Sequence, residues 1–581
     1  MQAKRTHKTH GLKNSNVEIT ALIKPLLPHN HGSGPCPGAI LAHLKACARL
    51  RDAETGSRIH AICVENDLLK SYPFVKNALI GMYAKCGTLQ KAEEVFHQNG
   101  ACDPVSWNTL IAGYLQHDCV DKAVGCFKQM QLQSVPPDSF TYSCILKACG
   151  IMKNLHFGSE MHIDIEKKGL LENSPFVGNA LIDMYSKCGS LQHAHQVFNM
   201  LPVHNVVTWT SVIAGYLQQE KAVEALKCFE QMLSQGVSPD GATIVCCLKA
   251  CGSIAAKEKG QELHQYAKEM GFLEHNILVA TALVDMYMKC GMVCKALEVF
   301  ISLHTHNIIT WNSLIAGLAQ WKCDEVALGC YDRMKLESVC PDVATLTCSL
   351  KACGDIIATK KGRQLHAVME LEGFLKASQL AGNSLVDMYA KAGMLESAER
   401  VFNELPIRNV VSWNAMITGY ARLGRVQELF STSTRMINEG ITVNSVTCLS
   451  VLTGCSHNGL VDQAQTYFQI MSESFGFHPT LEHYACFIDL LGRAGQLEGA
   501  YTVLLKAPSY LTNLAMWLTL LSTCRKWGNI ELGRQVFKQA VRIHRKEGAL
   551  YTCMSKIYGD AGLWSDMKHM TQIGMRMQAL N

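Results

Sequence analysis

Apolar residues recur along this chain with the spacing of an α-helix, in short blocks separated by polar and turn-forming residues. In residues 206–240, Trp209, Ile213 and Tyr216 lie three or four positions apart, so one helix would carry all of them on one stripe. After a short polar segment, a second stripe consists of Ala225, Phe229 and Met232. The pattern predicts two short helices joined by a turn.

The same pattern returns every 102 residues. One marker is a tryptophan, found at Trp107, Trp209, Trp311 and Trp413. A second is the triplet Lys-Ala-Cys, which begins at Lys45, Lys147, Lys249 and Lys351. A third is the pair Met-Tyr, which begins at Met82, Met184, Met286 and Met388. Three markers that keep one register without an insertion indicate a tandem repeat.

Each 102-residue unit divides into three subunits of 35, 36 and 31 residues, for example 206–240, 241–276 and 277–307. The register runs from Pro37 to Thr512 and predicts 14 subunits. A single helical hairpin of this size cannot bury its own apolar face, whereas stacked hairpins can. We therefore expect an all-α fold, a superhelical solenoid of helix-turn-helix repeats.

The register also predicts three regions. Residues 1–36 form a basic, disordered segment with Lys4, Arg5, Lys8 and Lys13, either an organellar targeting peptide or a plain tail. Residues 37–512 form the repeat array, and residues 513–581 form two more helical hairpins outside the register, at about 513–546 and 547–581.

Composition narrows the class of protein. Apolar residues make up 48% of the chain and charged residues 18%, as expected where much surface is buried by stacking, and the net charge is +5. The 26 cysteines contain no Cys-x-x-Cys, and many recur at equivalent repeat positions, so we interpret them as buried packing residues without a metal. So many thiols indicate a reducing compartment, and no apolar run is long enough to span a membrane.

The alternating lengths, with the segments VVTWTSVIAGY, CCLKACG and TALVDMYMKCG, resemble pentatricopeptide repeat proteins, specifically the subclass with alternating P, L and S motifs. The resemblance covers residues 37–512, and the two final hairpins resemble that subclass's E-type extension. Tetratricopeptide repeats share the Ala-x-x-x-Phe step of Ala123/Phe127, but they keep a constant length of 34 residues. The resemblance implies binding of single-stranded RNA, typically to direct cytidine-to-uridine editing in plant mitochondria or chloroplasts.

In that family the fifth and last residues of a motif select the base. The fifth residues of the 31- and 35-residue subunits are Asn77, Asn108, Asn179, Thr210, Thr281, Asn312, Asn383 and Asn414. The corresponding last residues are Asp103, Asp138, Asn205, Asp240, Asn307, Asp342, Asn409 and Asn444. The second residues, which could stack on bases, are Phe74, Val105, Phe176, Val207, Leu278, Ile309, Leu380 and Val411. Helix capping and inter-repeat packing are the alternative explanations for these patterns.

The side chains suggest which base each pair accepts. An ionised Asp only accepts hydrogen bonds and suits the ring N–H of uracil or guanine, whereas an Asn amide can donate to cytosine or adenine. With the family code, the expected RNA is 5′-U-U-n-Y-G-n-A-U-n-Y-Y-n-n-3′. The 36-residue subunits depart from the pattern at Leu41, Ser143, Val245, Thr347 and Leu449, as does subunit 481–512 at Ala485 and Thr512. These six subunits are expected to act as spacers or protein contacts.

We expect no enzyme activity. A zinc deaminase domain, which many relatives carry after the E-type extension, needs His-x-Glu and Cys-x-x-Cys. None of the 23 histidines is followed two residues later by Glu. The chain is therefore expected to be a cofactor-free specificity factor in an organelle, with residues 513–581 recruiting a deaminase-bearing protein. A protein-binding scaffold and an RNA stabilisation or splicing factor are the alternatives.

Overall fold

A computed structural model describes residues 36–98, 103–303, 305–473, 475–508, 513–544 and 547–578. The predicted N-terminal segment 1–36 lies outside these ranges except for Cys36. All regular secondary structure in the described ranges is helical. The chain divides into two compact units between Cys290 and Gly291, and each unit is described by itself.

In the first unit each subunit contributes a hairpin of two helices, except that subunit 277–307 contributes only its first, and the 36-residue subunits add a third, very short helix. The helices are α1 (Pro37–Leu50), α2 (Ala53–Glu65), α3 (Leu68–Ser71), α4 (Pro73–Lys85), α5 (Leu89–His97), α6 (Pro104–Gln116), α7 (Val120–Leu132), α8 (Ser139–Met152), α9 (Leu155–Lys167), α10 (Leu170–Asn173), α11 (Pro175–Lys187), α12 (Leu191–Met200), α13 (Val206–Gln218), α14 (Ala222–Ser234), α15 (Gly241–Ser253), α16 (Lys257–Glu269), α17 (Phe272–His275) and α18 (Ile277–Lys289). The first helix of each subunit packs on the first helix of the next, from α1 through α18.

The second unit repeats this arrangement. Its helices are α19 (Val293–Ser302), α20 (Ile308–Gln320), α21 (Asp324–Leu336), α22 (Val343–Asp355), α23 (Thr359–Leu371), α24 (Phe374–Ala377), α25 (Gln379–Lys391), α26 (Leu395–Glu404), α27 (Val410–Arg422), α28 (Val426–Asn438), α29 (Ser445–Asn458), α30 (Val461–Glu473), α31 (Leu481–Arg493), α32 (Leu497–Lys506), α33 (Leu514–Lys526), α34 (Ile530–Ile543), α35 (Gly548–Asp560) and α36 (Trp564–Gln578). First helices again pack in chain order, from α20 through α35.

The apolar stripes predicted for residues 206–240 are on the helices α13 and α14. Trp209 and Ile213 are buried, as are Ala225, Phe229 and Met232 on the second stripe. Each repeating tryptophan also packs edge-on against a phenylalanine of the preceding 31-residue subunit, with ring centroids 4.6–4.7 Å apart. The pairs are Phe96–Trp107, Phe198–Trp209, Phe300–Trp311 and Phe402–Trp413. This contact links one hairpin to the next and accounts for the constancy of the tryptophan marker.

The four-residue helices α3, α10, α17 and α24 were not predicted. Each follows a residue with positive φ; before α17 that residue is Gly271, at φ +71°. A left-handed residue ends the preceding helix and turns the chain, which then makes one further helical turn before the next subunit. Four residues are too few to show a helical period, so the apolar pattern could not reveal this element.

Close approach between first helices depends on small residues. A methyl group added at Gly113 in α6 would lie 2.7 Å from Cβ of Ala84 in α4, closer than two carbon atoms pack. The backbones of these helices therefore need Gly at this position. The predicted fold class, an all-α solenoid of helical hairpins, is confirmed, and no described helix is both long and apolar enough to cross a membrane.

Candidate nucleic-acid interface

The last residue of each predicted pair is the N-cap of the following first helix. In every case its side chain accepts a hydrogen bond from a backbone N–H in the first turn of that helix, most often at the third helical residue. Asp138, for example, accepts from the N–H of Thr141 at 2.8 Å. Capping thus explains why Asp and Asn occur at this position, as the alternative interpretation of the sequence required.

The same cap also holds the fifth residue of the preceding helix. The Asn108 amide donates to both carboxylate oxygens of Asp138 at 3.0 Å. The Thr141 hydroxyl donates to Oδ1 of Asn108 at 2.6 Å and lies 2.9 Å from Oδ1 of Asp138. Asn108 and Thr141 are buried, whereas Asp138 is exposed. One carboxylate therefore caps a helix and fixes the rotamer of a neighbouring amide.

This three-residue cluster recurs along both units. The amide-to-cap distances are 3.3 Å for Asn77–Asp103, 3.1 Å for Asn312–Asp342 and 3.1 Å for Asn414–Asn444. In each cluster a hydroxyl donates to Oδ1 of the fifth-position Asn at 2.5 or 2.6 Å, from Ser106, Thr345 and Thr447 respectively. The structure thus brings the predicted residues of these pairs together and adds a third residue to each.

The acidic members of these clusters are held in the ionised form. Burial raises the pKa of Asp138, but hydrogen bonds from Thr141 and Asn108 outweigh it and leave the pKa below its usual value. For Asp103 and Asp342 burial again raises the pKa, but the equivalent hydrogen bonds from serine or threonine and asparagine outweigh it, so both pKa values lie below the usual value. At neutral pH these caps present a carboxylate that only accepts hydrogen bonds.

The remaining pairs depart from this arrangement. Thr210 does not bond its cap directly; its hydroxyl lies 2.6 Å from that of Thr243, which donates to Oδ1 of Asp240 at 2.8 Å. Asn383 donates to Asn409 at 3.2 Å, but its own Oδ1 is buried and unpaired among the described atoms. Asn179 likewise has a buried, unpaired Oδ1, and no described hydrogen bond joins it to Asn205. Thr281 donates to the carbonyl of Ile277 in its own helix, and Asn307 caps α20.

Two of the 36-residue subunits have a hydroxyl at the fifth position, as subunit 277–307 has at Thr281, but their last residues, Ser174 and Ser378, make no side-chain cap bond. The hydroxyls of Ser143 and Thr347 donate to the backbone of their own helices, at Ser139 and Val343. Val245 and Leu449 are half-buried apolar residues. Thr512, the last residue predicted for subunit 481–512, lies outside the described residues. Among the described 36-residue subunits, the cluster of cap, amide and hydroxyl is therefore missing.

The second residues of the helices form an exposed apolar row. Their exposed fractions range from 45% at Phe74 to 77% at Phe176, and Val105, Val207, Leu278, Ile309, Leu380 and Val411 are exposed by 51–57%. Packing between repeats would bury these side chains, so packing does not explain them. Because the second and fifth residues are three positions apart, they lie on the same face of each first helix.

Sequence reasoning missed the third member of each cluster. It is the third helical residue of the next subunit, always Ser or Thr: Ser106, Thr141, Thr208, Thr243, Thr310, Thr345, Ser412 and Thr447. All eight are buried. The available signal was the recurring Ser or Thr three positions after each Asp or Asn, a spacing that also occurs in ordinary helix caps.

The cysteines in the described ranges are all free thiols, and no group of three metal-ligating side chains was found there. Burial raises the pKa of Cys149 to about 12 and that of Cys47 to about 11, so these thiols stay protonated. Protonated, buried thiols are unreactive packing residues.

Comparison with family models gives matches over much of the array. The PPR repeat family model matches residues 103–150, 204–253 and 408–457. A second PPR repeat model matches residues 74–98, 179–206, 309–339, 383–410 and 446–474.

Three similar proteins from Arabidopsis thaliana are named as pentatricopeptide repeat-containing proteins. One, described as putative, is 34% identical, with 92% of this chain aligned to 78% of the relative. A second, named as mitochondrial, is 32% identical over 99% of this chain and 82% of the relative. A third, named as chloroplastic, is 31% identical over 94% of this chain and 63% of the relative.

The solved structures include the pentatricopeptide repeat protein PPR10 from maize. The chain superposes on it with a TM-score of 0.54 at 18% identity, covering 94% of this chain and 90% of PPR10. The structure of PPR10 in complex with an 18-nt psaJ RNA element gives 0.56 at 17% identity, covering 97% and 87%. At these identities the likeness shows a common fold.

Proposed function

Because this chain belongs to the pentatricopeptide repeat family, we propose that it binds single-stranded RNA, with one base at each of eight subunits. The observation that carries the proposal is the cluster of cap, amide and hydroxyl, complete in four of these subunits, beside an exposed apolar residue that all eight share. Each cluster presents polar atoms of fixed orientation, and each exposed apolar side chain provides a surface on which a base can stack. A peptide groove has no reason to repeat this combination.

Base choice follows from the polar atoms of each pair. Clusters with an ionised cap, Asn77/Asp103, Asn108/Asp138 and Asn312/Asp342, would accept the ring N–H of uracil. Thr210/Asp240 would select guanine, because Oδ2 of Asp240 has no described partner and the smaller Thr leaves room for a purine. Thr281/Asn307 would select adenine. The pairs with two Asn residues, Asn179/Asn205, Asn383/Asn409 and Asn414/Asn444, would select cytosine or, less strictly, uracil.

The RNA-bound state of PPR10 supports the proposal. That protein, which shares the fold, has been crystallised with an 18-nt RNA element. We propose that this chain also binds single-stranded RNA because it carries the clusters of cap, amide and hydroxyl.

The finer function we propose is that of a specificity factor for cytidine-to-uridine editing in a mitochondrion or chloroplast. The alternating motif lengths and the two hairpins after residue 512 resemble the editing subclass, and relatives are named as mitochondrial or chloroplastic. The chain itself would supply no catalytic group. A deaminase-bearing protein would be recruited through residues 513–581.

Titration of the purified chain with two labelled RNAs tests the binding proposal. One RNA has the sequence 5′-U-U-n-Y-G-n-A-U-n-Y-Y-n-n-3′, and the other has the same bases in permuted order. Tighter binding of the first is the expected result, and equal binding of both would refute base recognition. Binding of neither RNA would favour the alternative of a protein-binding scaffold.

A second experiment uses an RNA that carries a cytidine beyond the 3′ end of the recognised sequence. Its incubation with the protein tests whether this chain only binds the RNA while another protein deaminates the cytidine. We expect uridine only after addition of an organellar extract that contains a deaminase. Product formed by the purified chain alone would show that it is an enzyme.

A further inference from the structure

The first helices of four 36-residue subunits carry an exposed lysine at their ninth residue. These lysines are Lys45 in α1, Lys147 in α8, Lys249 in α15 and Lys351 in α22. Their chain neighbours are buried, apart from the half-buried Ala46; Leu248 and Ala250, for example, are fully inaccessible on either side of Lys249. The exposure of the lysine is therefore a property of one helix face, and it is repeated every 102 residues.

That face is the one that carries the second and fifth residues. Seven residues separate positions two and nine, which is close to two turns of an α-helix, so the side chains point in almost the same direction. The lysine lies about 10 Å further along the helix axis than the second residue. An ammonium group thus borders the proposed base-binding row in four of the six subunits whose fifth residue offers no recognition group.

The ninth-position lysines take part in none of the ion pairs found among the described residues. A second set of repeating lysines does: Lys187, Lys289 and Lys391 bond Asp183, Asp285 and Asp387 of their own helices at 2.6, 2.8 and 2.7 Å. The second set therefore contributes little net charge.

The aliphatic parts of these paired lysine side chains pack against a glycine of the preceding first helix. A methyl group at Gly150 would lie 3.0 Å from Cδ of Lys187, and the equivalent distance at Gly252 to Lys289 is 3.1 Å. These packed stems keep the neutralised pairs in place beside the unpaired lysines.

The other subunits do not repeat the ninth-position charge. Their ninth residues are Ala112, Ala214, Ala316 and Thr418 in 35-residue subunits, Thr453 in the last 36-residue subunit, Gly81, Asp183, Asp285 and Asp387 in 31-residue subunits, and Asp489 in subunit 481–512. Each of these Asp residues is paired with a basic residue of its own helix, Asp489 with Arg493 at 2.8 Å. Each of the four complete 102-residue units therefore adds to this face one lysine that no described ion pair neutralises. A charge that is exposed, unpaired and periodic matches the periodic negative charge of a polynucleotide backbone.

We propose that Lys45, Lys147, Lys249 and Lys351 bind phosphodiester groups of the RNA strand. The inference rests on the proposed function and assigns a role to the 36-residue subunits, which offer no base-recognition cluster. A lysine ammonium is a point charge that contacts phosphate without regard to sequence. The 31- and 35-residue subunits would select bases, and the 36-residue subunits would hold the backbone between them.

The test is the salt dependence of RNA affinity in a variant with all four lysines changed, K45Q/K147Q/K249Q/K351Q. For single strands, each phosphate contact contributes about 0.7 to the slope of log affinity against log salt concentration. Loss of four contacts should make the slope shallower by about 3. Between 50 and 200 mM salt, the wild-type chain would then lose about 50-fold more affinity than the variant.

A control variant removes the same charge elsewhere. K128Q/K227Q/K295Q/K360Q changes four lysines on second helices, three of them exposed and Lys295 half-buried, and should keep at least three quarters of the wild-type slope. Preference for the predicted RNA over the permuted RNA should be unchanged in both variants, since phosphate contacts carry no sequence information.

Each other outcome contradicts a specific part of the account. Equal slopes for the two quadruple variants would overturn the phosphate assignment and leave base recognition intact. A changed base preference in the first variant would show that the lysines contact bases instead. Failure of the wild-type chain to bind RNA would overturn both the inference and the proposed function.

Discussion

Removal of the Thr141 hydroxyl is the most direct test of the cluster geometry. The Thr141 side chain is fully buried. Its Oγ1 donates to Oδ1 of Asn108 at 2.6 Å and accepts the backbone N–H of Asp138 at 3.1 Å. Thr141→Val keeps the shape of the side chain and removes both bonds. Each bond contributes about 0.5–1.5 kcal/mol, and Oδ1 of Asn108 is left unpaired, so the free energy of unfolding should fall by about 1–3 kcal/mol.

The measurement is urea unfolding followed by circular dichroism, together with RNA titration. Without the hydroxyl, Asn108 is held only by Asp138, so the preference for U over C at the second base of the RNA should decrease while other positions keep theirs. Thr141→Ser, which has the side chain found at Ser106, where the hydroxyl donates to Oδ1 of Asn77, should preserve both properties.

Thr109→Val provides a matched control on the neighbouring helix. The Thr109 hydroxyl bonds only the Val105 carbonyl of its own helix, so its loss should cost little. If Thr141→Val and Thr109→Val had the same stability and the same base preference, the idea that the buried hydroxyl positions Asn108 would be wrong.

Three further predictions concern packing, stacking and pH. Gly113→Ala should destabilise the chain by about 1–3 kcal/mol in urea unfolding, because the new methyl group meets Cβ of Ala84. In the control variant Gly125→Ala the methyl group meets nothing within 4 Å, so this change should be neutral or stabilising. Equal effects of the two variants on stability would contradict the packing argument. Phe176→Ala should weaken RNA binding by about 1–3 kcal/mol in a titration without changing helix content, and unchanged affinity would exclude stacking at this residue. The lowered pKa values of Asp103, Asp138 and Asp342 predict that these residues still contribute to stability at mildly acidic pH and lose this contribution only as pH falls through the lowered values. In this acidic range the stability of Asp138→Asn should depend less on pH than that of the wild-type chain. The same pH dependence in both would refute the lowered pKa of Asp138.

The repeat period made the hairpins predictable down to individual helix starts. Val206, Gly241 and Ile277, the first residues of three predicted subunits, are also the first residues of α13, α15 and α18. Helix starts are accessible from sequence because a capping residue and the beginning of an apolar stripe coincide there. The short helices such as α17 were not accessible, because one turn has no period.

The site was less predictable, since one residue type serves two purposes. Asp138 satisfies a helix cap and binds Asn108, and the sequence alone offers those as competing explanations. Likewise Phe176 looks like a core residue from its apolar character, yet it is 77% exposed. Exposure depends on how neighbouring hairpins stack, and contacts between hairpins are absent from the pattern of any single helix.

The central claim, that one subunit recognises one base, is tested most directly by exchanging a single pair. Thr210→Asn converts Thr210/Asp240 into the combination found at Asn108/Asp138, and binding is measured to RNAs with G or U at the fifth base. The wild-type chain should prefer G, and the variant should prefer U at that position with all other preferences unchanged. An unchanged preference for G, or a change spread over several positions, would contradict the account.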